Sequence, residues 1–332
     1  MHATRRQLLN AGAALGTSAA LGAWPVASPA QLPWPSKPVR LVIGYPPGGA
    51  ADIVARAVGV RLERQWSQAV IYEYKPGAGA ALGVEFTARA APDGYTLGLM
   101  DSGSLTIVPN LRKVPYEPLT DLTPLAFVGG AGLVLLCHPS VPAHSVRELI
   151  ALLKSRPGEY AYSSSGVGSP HHVAGEMFKL QAGVDIHHVP YKGAAPALND
   201  LMGGQIPLAV ATIGPAAPFV QAGRVRALGV TSARRSAVLP EVPAIAEAGL
   251  PDYEATPWFA FAGPARMPPA LVARINSAIA LVLGDPEVVA ALNKVGVENV
   301  RAGAPGALSD LIRSESSRYA DVIRRARISV NG

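Results

Sequence analysis

Two stretches of the chain join a short apolar run to a glycine-rich turn and a helix start, an arrangement suited to holding an anion. In residues 41–66, Leu41, Val42 and Ile43 suit a buried strand. Gly44-Tyr45-Pro46-Pro47-Gly48-Gly49 follows, and its prolines and glycines favour a turn with unusual backbone angles. Val54, Val58 and Leu62 then share one helix face, with Asp52 in the first turn. Further on, Tyr160-Ala161-Tyr162 reads as a strand and residues 163–169 as a loop of serines and glycines. Ser169-Pro170 gives an N-cap and a proline at the first helical position, opening a helix through His172 to Gln181. Amides at such helix starts attract anions, and serine hydroxyls add donors. Each stretch also fits an ordinary βα turn, and on these residues alone both readings stand.

Other chemistries lack their residues. No Gly-Lys-Ser/Thr follows a glycine loop, so a Walker phosphate site is missing. The Gly-x-Ser-x-Gly elbow is absent, and no glycine loop has dinucleotide spacing with an acid beyond it. No cofactor is therefore expected. His171-His172 and His187-His188 invite a metal, but adjacent histidines point to different sides and no third ligand has a recognisable spacing. No metal site is expected either. Cys137, the single cysteine, lies in an apolar run and reads as a buried thiol. A catalytic pair of carboxylates does not stand out. An enzyme of the hydrolase or isomerase type would have to use Ser164 or His172.

The elements that would position these loops alternate between strand and helix. After a strand at 70–74, Lys75-Pro76-Gly77-Ala78-Gly79-Ala80 leads into a helix at 82–90. A strand at 95–100 ends in Asp101-Ser102-Gly103-Ser104, a place where ligands sit in open α/β sheets. Residues 109–124, with four prolines, read as a loop. A strand at 133–137 and a helix at 146–154 capped by Ser145 come next. Val189-Pro190-Tyr191-Lys192-Gly193 precedes a helix ending at Met202, with Gly203 beyond it. Strands at 207–213 and 226–231 flank a helix at 215–222, and Trp258, Phe259 and Phe261 mark another strand. Helices at 269–283, 286–295 and 305–327 complete the chain.

The 332 residues suffice for two domains with real cores. Charged residues make up 16% and apolar residues 49%, which excludes disorder. The net charge of +6 falls to +4 once Arg5 and Arg6 are removed, and no Lys/Arg cluster interleaved with aromatics points to nucleic acid. Those arginines precede an apolar run at 11–23 and small residues Ser28-Pro29-Ala30 before Gln31. Residues 1–30 thus read as a secretory signal, twin-arginine in resemblance but compatible with the ordinary export route. The run is short for a spanning helix, and no later apolar run is long enough. A soluble periplasmic chain is expected.

Seven stations resemble, in order, the tripartite tricarboxylate transporter solute-binding proteins, or Bug receptors. They are Tyr45-Pro46-Pro47-Gly48-Gly49-Ala50-Ala51-Asp52, Lys75-Pro76-Gly77-Ala78-Gly79, Pro92-Asp93-Gly94-Tyr95, residues 163–172, Val189 with the four residues after it, Leu201-Met202-Gly203-Gly204-Gln205, and residues 243–251. The likeness runs from about residue 37 to 330, nearly the whole chain beyond the signal.

The resemblance implies a type II periplasmic binding protein: two α/β domains, a pair of crossovers, and a ligand cleft that closes like a flytrap. Its domains would be 36–132 with 254–332, and 133–253, crossing near Gly129-Gly130 and 253–258. It also implies a monomer that is no enzyme, captures a small carboxylate and passes it to membrane-embedded transporter subunits; a receptor serving a sensor remains open. Carried over, the first loop supplies Tyr45, Pro47, Gly48, Gly49 and Ala50. Ser102 and Ser104 line the cleft from the strand end. The second loop supplies Ser164, Ser165, Gly166, Gly168 and Ser169, with His172 behind them. Tyr191, Lys192, Gly193 and Thr212 complete the lining. In such receptors amides and hydroxyls, rather than an arginine, hold the carboxylate. One departure matters. Many relatives carry a polar run such as Phe-Asp-Asn where this chain has Ala211-Thr212-Ile213-Gly214, so a ligand amine would lose its acidic partner there.

Overall fold

Alternating strands and helices collect into two sheets in the computed structural model, which describes residues 34–329. The expected signal at 1–30 lies outside these residues. The first run holds β1 (Val39–Ile43), α1 (Ala50–Trp66), β2 (Val70–Tyr74), α2 (Ala81–Ala88), β3 (Thr96–Asp101), a π-helical turn (Gly103–Ile107), α3 (Val108–Leu111) and β4 (Leu122–Ala131). A second run holds β5 (Leu133–Cys137), α4 (Val146–Ser155), β6 (Ala161–Ser164), α5 (Pro170–Ala182), β7 (His187–Pro190), α6 (Ala194–Met202), β8 (Leu208–Thr212), α7 (Ile213–Gln221) and β9 (Arg226–Val230). The chain then returns through β10 (Trp258–Pro264), α8 (Pro269–Leu283), α9 (Pro286–Lys294), β11 (Val297–Glu298) and α10 (Pro305–Arg325).

The first sheet has the order β11-β4-β10-β3-β1-β2 and the second β7-β6-β8-β5-β9. In the first, β1 pairs in parallel with β2 and β3, while β10 is antiparallel to both β3 and β4. Every residue of β3 and β10 is buried, as central strands covered on both faces require. Only Gly132 separates β4 from β5, so the chain changes sheets in one residue. It comes back between Val230 and Trp258. Thr231 braces this region, accepting from Leu133 N–H at 3.2 Å through its hydroxyl oxygen and donating to the Ala255 carbonyl at 2.7 Å.

Residues 109–124 differ from the loop expected of them. Their first residues form α3, which continues the π-helical turn, and their last residues open β4. Pro124 fits a strand because β11 pairs only with Gly130 and Ala131, leaving one side of β4 bare where the proline lacks its N–H. Serines 163 and 164 belong to β6 rather than to the loop, held by parallel pairing with Val189 and Pro190.

Side chains from β1, α1, α8 and α9 fill the core of the first sheet. The second sheet packs α4 and α5 on one face and α6 and α7 on the other, with alternate residues of β5 and β8 feeding both. The amphipathic α10 serves both sheets. Leu308 and Ile312 pack with Trp258 and Ala260, whereas Tyr319, Val322 and Ile323 join Tyr162, Phe178 and Tyr253. At about 1.5 Å per residue its 21 residues reach roughly 30 Å, enough to span the two cores. Among the described residues no single helix is long and apolar enough to cross a membrane.

Candidate ligand-binding cleft

A cleft of about 770 Å³ opens where the β1–α1 loop, the end of β3, α3 and the β6–α5 loop meet. Apolar side chains of Val108, Leu111, Leu133, Val167, Trp258 and Phe259 form much of its wall. Tyr45, Pro47, Gly49 and Ala50 line one side, as do Ser165, Gly166, Gly168 and Ser169 on another, with Gly193 and Thr212 nearby.

The first loop is braced by Asp52. Its carboxylate accepts from Gly48 N–H at 2.8 Å, Tyr74 O–H at 2.6 Å and Arg56 Nε at 2.9 Å. Burial pushes this carboxyl up, but the Tyr74 hydroxyl, the Gly48 amide and Arg56 together outweigh it and leave it below its ordinary value. Gly48 takes φ +88°, a left-handed angle that favours glycine. Its amide is therefore occupied by Asp52, and Gly48 does not line the cleft. Gly49 does. It caps α1, and the first helical bond runs from Ile53 N–H to the Gly49 carbonyl at 3.1 Å. The amides of Ala50 and Ala51 thus lie ahead of the helical ladder at the positive end of the dipole.

The second loop is tied from beneath. Ser164 Oγ accepts from Gly166 N–H at 3.1 Å and sits 2.7 Å from His188 Nε2. Gly168 N–H donates to His172 Nδ1 at 3.0 Å, and Ser169 Oγ accepts from His172 N–H at 3.2 Å. Two of the loop's glycine amides are consequently used internally. Among the described residues the Ser165 and Val167 amides have no partner within the protein. His171 lies across the cleft wall. Its Nδ1 is 2.7 Å from Ser165 Oγ and its Nε2 3.0 Å from Thr212 Oγ1, so one imidazole couples the loop to the end of β8. Burial lowers the His171 pKa to about 4, which keeps the ring neutral and able to donate at one nitrogen and accept at the other.

Several expected lining residues stand elsewhere. Ser102 is buried, its Oγ accepting from Trp258 N–H at 3.4 Å. Ser104 is buried too, donating through Oγ to the Asp101 carbonyl at 3.0 Å. Both fasten the strand end from below, because the π-helical turn rolls them inward. Ser164 underlies the second loop. His172 is turned away from the cleft and stacks on His188, ring centroids 3.6 Å apart. Successive residues of a helix point about 100° apart, so only one histidine of the pair can face the ligand. Tyr191 is held by Asp200, to which its hydroxyl donates at 2.7 Å, and Lys192 is exposed outside the cleft.

Asp101, His171, Arg112, Ala78 and Gly79 line the cleft without having been singled out. Asp101 ends β3 and opens the polar tetrad 101–104, which was its signal; Arg112 had none. The Asp101 carboxylate accepts from Tyr45 O–H at 2.8 Å and from Ser104 N–H at 3.2 Å. Burial raises its pKa against the pull of those donors, and burial followed by the Asp101 charge raises that of Tyr45. The acid missing after β8 is thus matched by one at the end of β3.

The histidines behind the second loop make stability depend on pH. Burial, then His188 and Lys179, lower the His172 pKa to about 3, and burial and Lys179 lower that of His188 to about 4. The unfolded chain, with histidine near 6.5, binds more protons between these values, so stability is full above about pH 6.5 and lost as pH falls toward 4. For His172, 6% exposed, the slope is about 1.4 kcal/mol per pH unit in that window. Urea midpoints should drop between about pH 7 and 5, and the double variant His172→Gln, His188→Gln should flatten the drop. Parallel pH curves for the two proteins would refute the assignment.

Comparison with known proteins agrees with the fold. The model of the tripartite tricarboxylate transporter family receptor matches residues 54–328. Protein BugT of Bordetella pertussis is 36% identical over 294 residues, covering 88% of this chain and 90% of that protein. The structure of R. palustris Rpa4515 with adipate superposes with a TM-score of 0.80 at 33% identity, over 89% of this chain and 99% of that one. Periplasmic binding protein BugD gives a TM-score of 0.76 at 29% identity, with the same coverage.

Proposed function

Because the chain belongs to the tripartite tricarboxylate transporter receptor family, a family of periplasmic solute-binding proteins, we propose that it captures a small carboxylate and delivers it to a membrane-embedded transporter. The observation that carries this reading is the meeting of two helix starts at one cleft, with the Ala50, Ala51, Ser165 and Val167 amides outside the internal hydrogen-bond network. Such amides, the Ser169 hydroxyl and whichever of the Ser165 and Thr212 hydroxyls accepts from His171 complement a carboxylate without placing a cation against it. A relative solved with adipate supports the same ligand class. The chain would act outside the cytoplasm, with residues 1–30 as its removable signal. A thermal-shift screen of the chain from Gln31 onward against mono-, di- and tricarboxylates tests the proposal. Upward shifts with acids and none with matching amides are expected; no shift with any acid would sink it.

Capture would close the two lobes, 36–132 with 254–332 and 133–253, about the single-residue link at Gly132 and the return before β10. The scattering radius should shrink when a carboxylate identified in that screen saturates the protein. Identical curves with and without it would exclude closure.

A further inference from the structure

The cleft carries one basic and one acidic side chain, and the basic one makes no hydrogen bond or ion pair through its side chain among the described residues. Arg112 is the only Lys or Arg among the residues lining the cleft, and Asp101 is the only acid. The arginine follows α3, whose Val108 and Leu111 form the apolar wall. Its Nη2 lies 3.7 Å from where a Cβ on Gly79 would stand, which seats the guanidinium beside the Ala78-Gly79 turn at the cleft edge. Asp52, Glu73, Glu85 and Glu315 each have basic partners, but Arg112 makes no side-chain hydrogen bond or ion pair among the described residues. Asp101 forms no ion pair with it among the described residues; its carboxylate accepts instead from Tyr45 and Ser104.

We propose that Arg112 is the specificity-determining residue of the receptor, reading a second anionic group on the ligand. The inference rests on the carboxylate-receptor reading above and deepens it. With one carboxylate on the amides of the two loops, the ligand's body lies along Val108, Leu111 and Trp258. Its far end then meets Arg112 at the Ala78-Gly79 edge, whereas Asp101, bonded to Tyr45, stays at the first loop. A second carboxylate there is paired by the guanidinium, whose planar fork matches two carboxylate oxygens. A ligand with an uncharged far end would strip water from Arg112 and leave the cation unpaired, which disfavours it. The polarity of the wall therefore selects acids charged at both ends of an apolar chain and fixes which way they lie.

The test compares glutarate, adipate and pimelate with pentanoate, hexanoate and heptanoate, by calorimetry on the wild type, Arg112→Gln and Arg112→Lys. In the wild type each diacid should bind more tightly than its monoacid, by about tenfold or more, as expected of a charge-assisted pair. Arg112→Gln should bring the two series within about threefold of each other by weakening the diacids, and Arg112→Lys should restore part of the difference. Unchanged melting temperatures would show that the variants fold, as an unpartnered, half-exposed side chain leads one to expect. If acids bind but Arg112→Gln leaves the preference intact, or weakens both series alike, the assignment to Arg112 is overturned and the receptor reading survives. If neither series nor any other carboxylate binds the wild type, both fall together.

Discussion

Valine in place of Gly49 should weaken ligand capture by about 100-fold or more while the protein still folds. Gly49 has φ −85°, which valine adopts readily, and a Cβ there would meet only the Pro46 carbonyl, at 3.9 Å. The fold therefore loses little beyond the preference of an N-cap for glycine over a β-branched residue, about 1 kcal/mol. The isopropyl group, however, would stand between the ligand and the start of α1. Contact with a helix start is worth up to about 2 kcal/mol, and a charge-assisted hydrogen bond about 1.5–3 kcal/mol. Losing one of each corresponds to the stated factor. Gly166→Val is a less clean probe, since φ there is +136° and the Cβ would press within 3.3 Å of the Tyr191 carbonyl. Exposed Lys192→Ala serves as the companion, with affinity expected within about threefold of wild type, less than a single rim charge contributes. Calorimetry with the tightest carboxylate from the screen decides the matter: normal affinity in Gly49→Val would disprove the amide cradle.

Gly214→Ala should be the most destabilising small substitution near the crossing between the sheets. The new Cβ would lie 2.4 Å from the Val295 carbonyl carbon and 2.5 Å from its oxygen. Both are backbone atoms, so α7 and the end of α9 must separate. Overpacking of this kind costs typically about 1–3 kcal/mol, and here the rigid neighbour places it at the upper end. Gly306→Ala is the control, because a Cβ there meets nothing within 4 Å. Urea denaturation should show a lower midpoint for the first variant and none for the second. Equal midpoints would mean that the two helices do not approach as closely as the structure shows.

Much of this architecture was legible in the residues. Strand, glycine turn and helix start could be read at both loops because proline, glycine and an N-capping serine act locally. What escaped depends on distant contacts. Pro124 argued for a loop, yet β4 tolerates it because the strand beside it is only two residues long. His171 and His172 are indistinguishable in sequence; the stack on His188 decides which one turns inward. Loop amides looked equally available until Asp52, Ser164 and His172 were seen to take three of them. Arg112 reaches the cleft only because a π-helical turn and a short helix fold what reads as a proline-rich loop back over Gly79.

The position of β10 has a consequence for how the polypeptide becomes a protein. This strand lies between β3 and β4, yet it is made after the whole second sheet. During synthesis, then, the earlier half of the molecule waits with a gap in its middle, two hydrophobic strand edges facing one another across the absent Trp258–Pro264. The second sheet is not finished first either, since Tyr319, Val322 and Ile323 at the far end of the chain complete its interior. A nascent chain emerging N-terminus first can therefore close one face of the second sheet by residue 244, but the first core waits for Val297 and the other face of the second sheet for Ile323. Late completion of non-local pairings slows folding and prolongs the exposure of sticky edges. The first sheet and one face of the second thus stay open until the C-terminal third of the chain has been made.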